Sequence, residues 1–168
     1  MTVAGTGAIC LPLENLKTLL ANCAAFQTWT STADATAAAA RIALFAEAAS
    51  GRTLPDSVIF WGADNDIGSN KIAGGAGNSY DRQGTADIFF TSDIATTYAD
   101  YEDTLDELMV AFLNDVGGIM DDMDELAGTD EYLNVTGWQK VSGPTRSGKE
   151  ETEEPLVQIV MRVMWWGI

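Results

Sequence analysis

The heptad Gly143-Pro144-Thr145-Arg146-Ser147-Gly148-Lys149 has the spacing of a phosphate-binding loop as far as its lysine. Such a loop cradles phosphates with backbone N–H groups, reaches them with the lysine, and holds magnesium with the Ser or Thr that follows. Here Glu150 stands in that place, and Glu150-Glu151-Thr152-Glu153-Glu154-Pro155 sets four acids beside the phosphates before leading into a strand rather than a helix. The match is read as accidental. Arg146 and Lys149, with Glu150 and Glu151 beside them, are read as loop charges facing a protein partner. Asp64-Asn65-Asp66-Ile67-Gly68 opens like a calcium loop, but Gly68 stands where a third ligand belongs and no glutamate follows in the twelfth place. It reads as a turn, with Asp64 and Asp66 assigned to a partner-facing loop. Asp121-Asp122-Met123-Asp124-Glu125 would gather a cation only weakly, because its acids point in different directions around a helix. Asn134-Val135-Thr136 is a glycosylation sequon only in a secreted protein. There is no histidine, and the two cysteines, Cys10 and Cys23, suggest neither a zinc site nor a disulfide scaffold. No catalytic set, cofactor or metal site is expected.

The element that would position most of these charges is a helix spanning Thr97 to Gly128. Its apolar residues, from Tyr98 and Tyr101 through Leu105, Leu108, Phe112, Val116, Ile119, Met123 and Leu126, recur at helical spacing and form one stripe. Thr97 with Asp100 reads as a capping box, and Gly128 as the closing cap. Gly117-Gly118 predicts a bend, since each glycine weakens a helix interior by up to about 1 kcal/mol. The opposite face carries ten acids and no Lys or Arg. Glu102 with Asp106, Asp103 with Glu107 and Asp121 with Glu125 are repulsive at four-residue spacing, so packing must hold this helix together. The face is either a solvated surface or one that repels polyanions or docks on something basic.

Around it the chain divides in order. Residues 1–11 read as an extended arm. Pro12 opens a helix whose Leu13, Leu16, Leu19, Leu20 and Cys23 share one face. Phe26 and Trp29 break that pattern as anchors for the core or for a partner, the core being the safer reading. Ser31 and Asp34 cap a second, alanine-rich helix over Ala33–Ala49. Ser57–Trp61 and Thr85–Thr91 read as two strands that pair across a glycine-rich loop over residues 62–84. Tyr132–Trp138 is a third, weaker strand, residues 142–154 form a projecting loop, and Leu156–Trp166 is a central strand with Val157, Ile159, Met161, Val163 and Trp165 on one apolar face. The expected fold class is α+β: a single domain in the order ααββαββ, with a small mixed or antiparallel sheet of about four strands packed against helices.

Composition sets the outer bounds. A chain of 168 residues, 46% hydrophobic and 20% charged, is globular and of one-domain size. Its net charge is −16, and residues 97–168 hold 16 acids against Lys140, Arg146, Lys149 and Arg162. Binding to nucleic acid through phosphates, which needs clustered bases, is therefore not expected, while a role beside DNA without gripping it stays open. Neither a signal peptide nor a membrane span is expected, and a cytosolic setting fits the cysteines.

The N-terminal helices around Ala25-Phe26-Gln27-Thr28-Trp29 and Arg41-Ile42, the long helix with Phe112-Leu113-Asn114-Asp115-Val116-Gly117-Gly118-Ile119, and the final strand closing on Trp165-Trp166-Gly167 resemble the tail-terminator and head-to-tail joining proteins of long-tailed bacteriophages. The resemblance rests on packing residues and does not extend to the loop 62–84. It implies a small α/β sandwich that assembles into a ring, commonly a hexamer, capping the tail tube beneath the portal and connector. It implies a virion protein without catalysis or cofactor, whose partners are copies of itself, the tail tube protein and a connector or head-completion protein. DNA would pass through the ring without specific binding, eased by an acidic lumen. Trp29, Trp61, Trp138, Trp165 and Trp166 are many tryptophans for this length and suit interfaces as well as cores. Three other readings remain open. An acidic decoy of DNA would be a monomer or dimer that captures a basic host protein. An enzyme using carboxylates alone would need a deep pocket and a metal. A tail-tube subunit would polymerise into open stacks.

Overall fold

The computed structural model describes residues 11–44, 53–61, 68–71, 80–93, 105–127, 134–147 and 156–167. Helix α1, Leu11–Asn22, begins as Pro12 suggests and buries Leu13, Leu16, Leu19 and Leu20. The Phe26–Trp29 stretch, expected to break the helical pattern, is a separate short helix α2, Ala24–Trp29. A turn through Ser31, at φ +53°, leads to α3, Ala35–Ala39. Asp34 caps α3 by accepting from the backbone N–H of Ala37 at 2.8 Å.

The helix expected over Ala33–Ala49 stops ten residues early, and Ile42–Leu44 form a strand, β1. Alanine favours a helix but offers little to bury, whereas Ile42 reaches the core and the Ser57 N–H bonds to the Arg41 carbonyl at 2.9 Å. Pairing with the sheet outweighs local propensity there. Residues 45–49 lie outside the described residues.

Strands β2 (Asp56–Trp61), β3 (Gly68–Lys71), β4 (Tyr80–Asp93), β5 (Asn134–Ser147) and β6 (Leu156–Gly167) complete a six-stranded sheet in the order β1-β2-β4-β6-β5, with β3 paired to the first part of β4. The β1–β2 contact is parallel and the rest are antiparallel, so the sheet is mixed and larger than the four strands expected. The expected strand pair across the 62–84 loop is present as β2 with β4. Part of that loop is itself strand, from Gly68 opposite Gln83 to Lys71 opposite Tyr80. Backbone ladders need no apolar side chains, which is why composition gave no sign of it. Where a projecting loop is expected from Ser142, β5 instead runs on to Ser147, with register shifts just before and across Gly143-Pro144; residues 148–154 lie outside the described residues. Gly143 sits at φ +87°, where a Cβ would lie 2.5 Å from the Gln158 carbonyl oxygen. That bulge requires glycine.

The long helix, α4, spans Leu105–Ala127 and continues through Gly117-Gly118 without interruption of its helical pattern. The expected cap at Thr97 and Asp100, and Gly128, lie outside the described residues. The helices cover one face of the sheet. Its residues Ile59, Ala86, Ile88, Phe90, Val157, Ile159, Met161, Val163 and Trp165 meet Phe112, Val116, Ile119, Met120 and Met123 of α4 and the leucines of α1. Trp29 stands at the centre, with ring centroids 5.9 Å from Phe26, 5.8 Å from Phe90 and 6.3 Å from Phe112. This is an α+β domain with the long helix laid on a mixed sheet. On the other sheet face Arg162 meets Asp87, directly opposite it in register, through Nε–Oδ1 at 2.7 Å and Nη2–Oδ2 at 3.1 Å. Both residues are buried.

Candidate functional site

Two features of the described residues invite a functional reading: the acidic face of α4, and a cleft between α4 and the turn that follows α2. Seven acids lie on α4 (Asp106, Glu107, Asp115, Asp121, Asp122, Asp124 and Glu125) and no base. Asp122 and Asp124 each hold another element. Cys23, the residue before α2, has extended backbone but no side chain suited to capping, and Asp122 supplies the acceptor instead, its Oδ2 2.9 Å from the Ala25 N–H. Asp124 accepts from the Trp138 indole N–H at 3.0 Å, tying α4 to β5. The Asp121–Glu125 run therefore diverges around the helix as its spacing predicts, and among the described residues no cluster of acids, cysteines or histidines suits a metal ion. Asp121 and Glu125 stay exposed at four-residue spacing.

The cleft measures about 550 Å³ and is lined by Ala25, Thr28, Trp29, Thr30, Ser31, Arg41, Leu54, Pro55, Asn114, Asp115 and Gly118. Arg41 crosses its floor as a strut, donating from Nη1 to the carbonyls of Thr53 at 3.0 Å and Pro55 at 3.3 Å. The Thr30 hydroxyl is turned inward, to the Phe26 carbonyl at 2.8 Å. With one guanidinium, one carboxylate, hydroxyls and an amide, the lining suits a polar segment of chain better than an ion of either sign. Burial, and then the nearby Asp122 charge, push the Cys23 thiol up to about 12, so it is a neutral packing group and not a nucleophile at neutral pH.

Of the partner-facing residues expected from sequence, Phe26 and Trp29 fill the core, with Trp29 showing only an edge to the cleft. The core reading of both holds, and the partner reading does not suit their burial. Arg146 lies in β5 opposite Val157, in a strand and not the expected loop. Asp64, Asp66, Lys149, Glu150 and Glu151 lie outside the described residues. Sequence reasoning missed Asp122, Asp124 and Arg41 as structural partners. A signal for Asp122 existed: a helix opening on Cys23-Ala24-Ala25 has no capping side chain of its own.

No protein-family model and no curated protein matches this chain in sequence. Among the described residues no helix is long and apolar enough to cross a membrane.

Proposed function

We propose that this chain is a structural subunit of the head–tail junction of a long-tailed bacteriophage, forming a ring that caps the tail tube and joins it to the connector. The observation that carries this reading is the base-free α4: a long helix holding seven acids, laid across a mixed sheet in a chain of net charge −16. A helix tolerates such repulsion only when packing holds it, and an acid excess facing a channel lets DNA phosphates slide past without adhering. The sandwich layout accords with the family the sequence resembles. The ring, the tube, the connector and the virion setting are parts of this proposal.

The experiment is tail assembly in vitro. Purified chain added to tail tubes is expected to cap tube ends, visible by electron microscopy as one added disc, and to stop further lengthening. Stacking into open tubes would favour a tube subunit. Failure to bind tubes, together with salt-sensitive capture of a basic host protein, would favour the decoy and overturn the joining role.

A further inference from the structure

Among the described residues only four large apolar side chains are exposed, and they fall in two pairs. Val110, 56% exposed, and Leu113 lie one turn apart on the outer face of α4; Trp138 and Val141, 43% exposed, lie on β5, at the edge of the sheet. The charges around the pairs are opposite. Helix α4 has seven acids and no base, whereas β5 has Lys140 and Arg146 and no acid. Lys140 is exposed and donates to the Gly143 carbonyl at 2.9 Å, with no carboxylate beside it among the described residues.

Helix α4 carries a further anomaly. Gly117, on this outer face, and Gly118, beside the cleft, each weaken a helix interior by up to about 1 kcal/mol relative to alanine. Among the described residues nothing requires them: a Cβ at either would meet no atom within 4 Å, and neither has positive φ. Gly117 continues the row begun by Val110 and Leu113, so an approaching backbone would find a flat, partly apolar seat.

We infer that the β5 edge of one copy docks on the outer face of α4 of the next, Trp138 and Val141 against Val110, Leu113 and Gly117, with Lys140 toward the α4 acids. One chain cannot make this contact with itself. Its β5 already touches α4 at Asp124, 14 residues, or about 21 Å, along the helix from Val110. Two α4 faces cannot pair either, because that opposes acids with acids. The contact is therefore heterologous, the kind that propagates from copy to copy and closes into a ring when the rotation permits. It also covers the edge of β5, which has no further strand beside it among the described residues and would otherwise invite unwanted pairing. The inference rests on the ring reading above for closure alone; one lysine contact per copy leaves most of the acid excess for the channel.

The test uses two full-length variants, Val110→Glu and Val141→Glu, each at an exposed position and each checked for an unchanged melting profile. Wild type is expected to self-associate in light scattering at low salt, and either variant alone to need at least tenfold more protein for half-assembly. Mixed in equal amounts, the variants should form a dimer and stop there, since each retains one sound surface. Variants that assemble as wild type does, or that fail to rescue each other, overturn the docking and leave tube capping intact as a separate question. A wild type that stays monomeric with and without tubes overturns both.

Discussion

Gly84 lacks a side chain because the Trp165 indole occupies the space: a Cβ there would lie 2.5 Å from Cζ2. Gly84→Ala is expected to destabilise the fold by about 1–3 kcal/mol in urea unfolding, the usual range for overpacking. The Asp87–Arg162 pair makes a different prediction. Asp87→Ala removes the carboxylate from a buried guanidinium and should cost about 3–5 kcal/mol, while replacing both residues by apolar ones of similar size should cost far less. At Cys23 the sign follows from a thiol raised from 9.0 to about 12. Below pH 9 both folded and unfolded chains keep the proton. From pH 9 toward 12 only the unfolded chain loses it, so stability falls across that window. Cys23→Ala should flatten that part of the pH profile, measured by urea midpoint. None of these pairings was legible in the sequence, because register decides them: Asp87 and Arg162 are 75 positions apart and meet only where β4 and β6 align.

The elements were more legible than the residues. Leu13 to Leu20 and Leu108 to Leu126 declared helices by period, and Val157 to Trp165 declared a strand with one buried face. Their signals are periodic because each buries one side only. The misread elements are those held by the sheet and not by their own pattern: β1 after an alanine-rich helix, β3 within a glycine-rich stretch, and the far half of β5 past Gly143-Pro144. Within α4, Gly117→Ala should raise thermal stability, by up to about 1 kcal/mol, since the added methyl meets nothing among the described residues. The same substitution should weaken self-association, because it fills the seat offered to a neighbour. A gain in stability without loss of assembly would give the glycine pair no part in docking.

For the whole molecule, the α+β class and the charge of −16 could be read directly, but the use of the acids could not. Asp122 and Asp124 serve the fold, at the start of α2 and beside Trp138, while Asp121 and Glu125 remain on the surface. The proposed ring at a DNA passage would use the second group, the acids that face outward. The most direct test is the solution mass of the purified chain by light scattering, at low and moderate salt, alone and with tail tubes. The joining role predicts a discrete ring-sized species, either free or formed once tubes are present. A strict one-chain mass under every condition, with capture of a basic host protein, would contradict it.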